Sequence, residues 1–291
     1  MGVSRVTHRS MSDAALRGIQ DAMARTKKYQ DQLSSGRRLT RPGDDPSATA
    51  SSMKLRSQKR ADEQYLRNIS DATGRLGITD STLVGISNQI HRARDLLVSA
   101  RSGAMSDEGR VAIAEELSVI RDSVIGLYNT RWLDRPVFGG TAPGDVAVDA
   151  SGGYTGDDGE IVSRISRDAT LRIDVRGTDV AADLLPGTLE RAAEDVLTDP
   201  DNLGDLLGEL DEHLSAVLKG LGDVGARAAA LETTKANLDS EKIDFTARIS
   251  QNEDVDMPEA IMHLESQRVA YEAALGAAAR VLQTSLADFL R

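Results

Sequence analysis

The chain has 291 residues, a net charge of −11, no cysteine, one Trp, five Tyr and three Phe. The absence of cysteine excludes disulfides and thiolate chemistry, and the scarcity of aromatic side chains disfavours the apolar pocket of an ordinary enzyme. No stretch has the length of an apolar membrane span, and the charged first twenty residues lack the apolar run of a cleaved signal. We therefore expect a protein that is not inserted in a membrane.

The charge is unevenly distributed along the chain. Residues 1–60 hold 13 Lys and Arg against 5 Asp and Glu, a net charge of +8, whereas residues 143–215 hold 5 against 18, a net charge of −13. A basic segment can bind an anionic partner such as nucleic acid. A solvated helix face is the simpler interpretation, because no aromatic residues for base stacking are interleaved with the cations. We expect no nucleic-acid partner.

The N-terminal segment has the apolar pattern of a helix. Leu16, Ile19, Met23 and Leu33 belong to a stripe with alternating steps of three and four residues, which predicts a helix that packs along another helix. Gly36 follows this stripe and supplies the left-handed residue that commonly ends a helix. The helix is therefore predicted to end before Gly36.

A charged connector with two prolines follows and leads into a second helix. Asp45 can cap that helix, and Pro46 suits its first turn, where no backbone donor is needed. Asp44 and Asp45 also favour the positive end of the helix dipole. A metal or acid–base role for this pair is the alternative, but no histidine or third carboxylate is near in sequence.

From Ser47 two apolar rows run with a spacing of seven residues, which is the pattern of a coiled coil. The first row is Leu55, Asp62, Ile69, Leu76, Leu83, Ile90 and Leu97, and the second is Tyr65, Ala72, Thr79, Ile86, Ala93 and Ala100. A shorter helix with Leu117, Ile120 and Val124 comes next. These rows predict long helices that pack on other helices.

The pattern changes near residue 131, where Gly and Pro interrupt any helix. Short alternating runs at 146–148, 161–165 and 171–175 predict strands, and a hairpin turn is predicted at 156–159 rather than a calcium loop. Helical periodicity returns near 187 and continues to the C-terminus. The fold class is therefore mainly α with a small β-rich insertion.

The predicted segments follow from these changes of pattern. They are an N-terminal assembly helix and connector (1–46), one half of a helical rod (47–135), a β-rich outer domain (136–186), the other half of the rod (187–250) and a C-terminal assembly helix (251–291). The last helix carries a second apolar stripe, with Ile261, Leu264, Tyr271, Leu275, Leu282, Leu286 and Phe289. We expect the two terminal stripes to be interfaces.

The sequence lacks the motifs of the common catalytic and cofactor sites. It contains no phosphate loop, dinucleotide fingerprint or nucleophile elbow. Its four histidines are far apart, which disfavours a metal site. We expect no enzyme activity, no cofactor and no bound metal, and a structural role.

Two end motifs resemble the flagellin family. The first is Leu33–Leu39 (LSSGRRL) with Arg41–Pro46 (RPGDDP), and the second is Arg280–Leu290 (RVLQTSLADFL). Their form is similar to the branch of the family that forms the hook–filament junction. The resemblance spans nearly the whole chain and implies a long antiparallel bundle formed by the N- and C-terminal regions.

The resemblance also implies partners and a location. The implied partners are further copies of the chain, in a ring of about eleven subunits, and the two neighbours of that ring, hook-associated protein 1 and the flagellin filament. It implies export through the flagellar type III system without a cleaved signal, guided by a chaperone that holds the C-terminal helix, to the extracellular junction. Filament flagellin and a cytoplasmic coiled-coil scaffold are the alternatives.

Overall fold

The computed structural model describes residues 2–101 and 105–289. The helices of this part are α1 (Gly2–Ser35), α2 (Pro46–Ala100), α3 (Asp107–Tyr128), α4 (Leu185–Thr198), α5 (Leu203–Glu253) and α6 (Met257–Phe289). None of the helices in this part is long and apolar enough to cross a membrane. The predicted fold class, mainly helical with a small β-rich insertion, is confirmed.

The strands form two small antiparallel hairpins between α3 and α4. β1 (Arg131–Trp132) pairs with β2 (Arg135–Pro136), and β3 (Val162–Arg164) pairs with β4 (Thr170–Arg172). In β1–β2, Arg131 is opposite Pro136, and in β3–β4, Val162 is opposite Arg172. A short 3₁₀ helix (Thr178–Val180) leads into α4.

The described β region differs in detail from the sequence prediction. The two described hairpins turn at residues 133–134 and 165–169, not at the expected 156–159. Asp157, in the expected turn, accepts hydrogen bonds from the backbone and hydroxyl of Thr141. Residues 146–148 contribute one isolated bridge, Val148 to Tyr154. The adjacent residues Ala147 and Val148 are both buried by loop packing, so the pattern at 146–148 arises from burial without a regular strand.

The chain divides into two compact units. Unit 1 contains residues 1–60 and 241–291, and unit 2 contains residues 61–240. The helices α2 and α5 each contribute to both units. The finer division into five segments stays a prediction.

The core of unit 2 is built on the two rows of α2 that are spaced by seven. Fully or almost fully buried members are Ile69, Ala72, Leu76, Thr79, Leu83, Ile86, Ile90, Ala93, Leu97 and Ala100. The facing helix α5 contributes Leu210, Val217, Val224 and Leu231. Arg94 Nε lies 2.8 Å from Asp211, and a Cβ at Gly220 would lie 3.6 Å from Leu83, so the two helices run antiparallel within this unit.

Helices α3 and α4 complete unit 2 on the same core. The ring of Tyr128 meets that of Phe138 edge to face at 5.7 Å, and the Tyr128 hydroxyl donates a 2.6 Å hydrogen bond to the Val180 carbonyl. Both rings are fully buried. This contact joins the end of α3 to the β region and to the segment before α4, because a buried hydroxyl must find a partner.

Candidate assembly surface

In unit 1 the first and last helices pair with each other. Arg25 Nε donates a 3.0 Å hydrogen bond to Gln267, and the ring of Tyr29 stacks on that of His263. Because the later residue of α1 meets the earlier residue of α6, the helices run antiparallel. The pairing brings the two ends of the sequence into one unit.

The predicted interface residues fall on two faces of this pair. Ala22 on α1 and Ala260 and Ala278 on α6 are buried. The half-buried predicted residues are Ile19, Leu33, Leu264 and Tyr271. Each of these side chains is partly covered within the monomer and keeps part of its surface exposed.

The other predicted residues face solvent. Leu16, Met23, Ile261 and Leu275 are between 42% and 62% exposed. Met262 and Val269, which the sequence analysis did not select, are exposed by 67% and 65%. We call these six residues the outer face. The side chains of Leu282, Leu286 and Phe289 lie outside the described part of the structure.

The connector after α1 pairs with the short segment between α5 and α6. Arg38 N–H donates to the Glu253 carbonyl at 2.7 Å, and Val255 N–H donates to the Gly36 carbonyl at 3.1 Å. Gly36 has a φ of 68°, a left-handed conformation that favours glycine. The reversal at Gly36 therefore starts a backbone pairing that holds the two connectors together.

The two aspartates of the connector stabilise its turns. The Asp44 carboxylate accepts hydrogen bonds from the Arg41 N–H at 2.9 Å and from Thr40, and the bond from Arg41 is the main reason why the pKa of Asp44 is low. Asp45 accepts a 3.0 Å hydrogen bond from the Ala48 N–H at the start of α2, which lowers the pKa of Asp45. Pro46 is the first residue of α2. Each carboxylate has a structural partner.

An ion pair that the sequence analysis missed lies beside the connector. Arg56 on α2 binds Glu253 at the end of α5 through two hydrogen bonds, one of them 2.9 Å from Nε to Oε1. The hydrogen bonds from Arg56 are the main reason why the pKa of Glu253 is low. No short-range pattern could have paired residues so far apart in sequence. Within the described residues, no group of three or more metal-ligating side chains comes together.

The comparisons with known proteins find similarity to flagellar proteins. The Bacterial flagellin N-terminal helical region matches residues 6–131. Flagellar hook-associated protein 3 of Salmonella typhimurium is 29% identical over 178 residues, which are 60% of this chain and 56% of the relative. Flagellin of Bacillus subtilis is 26% identical over 289 residues, with 92% of this chain and 93% of the relative covered.

A solved structure has the same fold. The flagellar junction protein FlgL from Legionella pneumophila has a TM-score of 0.59 and 15% identity, with 70% of this chain and 100% of that chain covered. The fold thus defines a mainly helical protein in which the N- and C-terminal helices pair. The chain is thus similar in sequence to flagellins and to hook-associated protein 3, and in fold to a flagellar junction protein.

Proposed function

We propose that this protein is a structural, non-catalytic component of the bacterial flagellum, and that it acts as the hook–filament junction protein, hook-associated protein 3. The antiparallel pairing of α1 with α6 carries the proposal, because it builds one unit from the two ends of the chain and leaves an apolar outer face on it. The residue match to hook-associated protein 3 supports the junction role.

The outer face is the proposed contact between subunits. Its apolar side chains are held on regular helices, so burying them in an assembly requires little reordering of the backbone. Exposed apolar side chains grouped in this way are typical of interaction surfaces. The predicted residues Leu282, Leu286 and Phe289 extend the C-terminal stripe and are proposed to contact neighbouring subunits or the export chaperone.

The partners follow from this role. The chain forms a closed ring of about eleven copies, since repeated head-to-tail contacts close when the rotation permits. This ring joins hook-associated protein 1 to the flagellin filament outside the cell. The chain reaches this position through the flagellar type III system, and the absence of cysteine suits passage as an unfolded chain without disulfides.

Filament flagellin is the second candidate, and the match over most of the Bacillus subtilis flagellin favours it. The two functions give different results in a strain that lacks this chain. A missing junction protein leaves hooks without filaments while another protein, the flagellin, is released into the medium. A missing filament subunit leaves hooks without filaments and no abundant flagellin in the medium.

The deciding experiment is electron microscopy of the deletion strain together with protein analysis of the medium. We expect bare hooks and abundant released flagellin, both reversed when this chain is restored. Bare hooks without released flagellin would favour the filament role. Normal filaments would contradict both flagellar roles and favour a cytoplasmic scaffold.

A further inference from the structure

A cleft of about 220 Å³ opens in unit 1 between the connector and the first turns of α2. Arg37 and Arg41 lie on its connector side, and Ser52 and Arg56 lie on its helix side. Leu39 adds an apolar wall. Glu253, the partner of Arg56, also lines the cleft, which thus combines three arginines, one carboxylate, hydroxyls and apolar surface within a small volume.

The charge of the cleft is positive. Arg56 is neutralised by Glu253, which binds it through two hydrogen bonds. Among the described residues, no carboxylate lies within ion-pair distance of the Arg37 or Arg41 guanidinium, although the charge of Arg37 contributes to the low pKa of Glu253. Two guanidinium groups therefore remain available for an anion.

Two buried hydroxyls also lack a partner at this cleft. Ser52 is only 3% exposed, and neither its Oγ nor the buried Oγ1 of Thr49 makes a hydrogen bond in the described structure. The Ser52 hydroxyl lies near Glu253 and is the smallest of the causes that lower the pKa of that carboxyl, but no hydrogen bond of normal geometry joins the two groups. Buried polar atoms normally find a partner, so an unbonded pair lining a cationic cleft points to a ligand that accepts hydrogen bonds.

We propose that this cleft binds a carboxylate, supplied by an aspartate or glutamate side chain of a second copy of this chain. Guanidinium groups bind carboxylates through paired, charge-assisted hydrogen bonds, and the hydroxyls donate to the same group. Charge complementarity supports the source, because residues 143–215 carry a net charge of −13 and residues 1–60 carry +8. That a second copy of the chain supplies the carboxylate rests on the proposed function, whereas the binding of a carboxylate by the cleft does not.

Titration of the full-length chain with glutarate at constant ionic strength tests the chemistry. We expect saturable binding, weakened about tenfold or more in the double variant Arg37→Gln/Arg41→Gln, because hydrogen bonds to charged groups are lost. The control Lys54→Gln/Arg60→Gln removes the same charge from exposed positions that do not line the cleft. Absence of saturable binding, or equal weakening in both variants, would overturn the proposal.

The Ser52→Ala variant tests the hydroxyl separately from folding. Removing an unbonded buried hydroxyl should leave the melting temperature unchanged or raise it, while the affinity for glutarate falls severalfold. Unchanged affinity would overturn the role of Ser52 as a donor to the ligand.

The source of the carboxylate is tested in cells. Cells with Arg37→Gln/Arg41→Gln should form fewer filaments than cells with Lys54→Gln/Arg60→Gln. If Arg37→Gln/Arg41→Gln abolishes glutarate binding but the cells form normal numbers of filaments, a second copy of the chain does not supply the carboxylate. Failure of the proposed function would instead appear in the deletion strain and would leave the glutarate result unchanged.

Discussion

The ring of Tyr29 on α1 stacks on the ring of His263 on α6, with centroids 5.2 Å apart and planes 19° from parallel. This contact joins residues from opposite ends of the sequence and fixes the register of the two terminal helices. The six residues of the outer face lie on these two helices and are exposed in the monomer.

The outer face should govern assembly and leave the fold of the monomer unchanged. Ile261→Asp introduces a charge at a position that is 51% exposed, so the melting temperature of the monomer should change little. Assembly should be lost, because a buried interface would then contain an unpaired charge. Thermal unfolding and filament counts check this.

Ser266→Asp is the matched control, since it adds the same charge at an exposed polar position of α6. Normal filaments in cells with Ile261→Asp, or an equal defect with Ser266→Asp, would contradict the assignment of the outer face.

Replacing either of two glycines of α2 by alanine should change the free energy of unfolding, in opposite directions at the two positions. A Cβ at Gly77 would meet no atom within 4 Å, so Gly77→Ala should raise the free energy of unfolding by about 0.5–1 kcal/mol. A Cβ at Gly74 would lie 2.6 Å from the Trp132 ring, so Gly74→Ala should lower it by about 1–3 kcal/mol. Denaturant unfolding measures both. Equal effects would refute the packing of Trp132 on α2.

The β1–β2 turn contains a strained residue. Leu133 and Asp134 have φ values of 46° and 62°, and Leu133 is 77% exposed, so its side chain gains little from burial. Asparagine tolerates the left-handed conformation better than leucine. Leu133→Asn should therefore raise the free energy of unfolding by about 1 kcal/mol. A decrease in denaturant unfolding experiments would show that the turn has a different conformation.

His213 should make the stability of unit 2 sensitive to acid. His213 is buried on α5, and its Nε2 lies 3.0 Å from Thr188 Oγ1 on α4, next to Glu209 and Arg191. Burial lowers the pKa of His213, while the charges of Glu209, Glu212 and Asp183 oppose this effect and that of Arg191 adds to it. The folded protein therefore favours neutral histidine.

The unfolded chain binds this proton more readily, so stability is fully present above about pH 6.5 and is lost as the pH falls towards the lower folded pKa. The loss is at most about 1.4 kcal/mol per pH unit for one group. Thermal unfolding at pH 7.5 and pH 5.5 should show a smaller decrease for His213→Gln than for the unchanged chain. Equal decreases would exclude His213 as the cause.

The helices were predictable because their apolar rows are periodic. Leu76, Leu83 and Ile90 were selected by their spacing of seven and are buried in the structure. The spacing of three residues also places Ile261 and Leu264 on the same apolar stripe of α6. It does not report where the partner helix lies, so the exposed position of Ile261 and the half-buried position of Leu264 needed the structure.

The connector site was only partly predictable. Asp45 and Pro46 carry a local signal, because a cap bonds to the backbone a few residues later. The bond of Arg56 to Glu253 and that of Tyr128 to the Val180 carbonyl join residues distant in sequence. Such contacts depend on the tertiary fold and leave no short-range pattern.

The position of this chain on the intact flagellum is the most direct test of the junction role. Immunogold labelling of the chain, viewed by electron microscopy, should give label only where the filament meets the hook. Label along the length of the filament would contradict the account and identify the chain as a filament subunit.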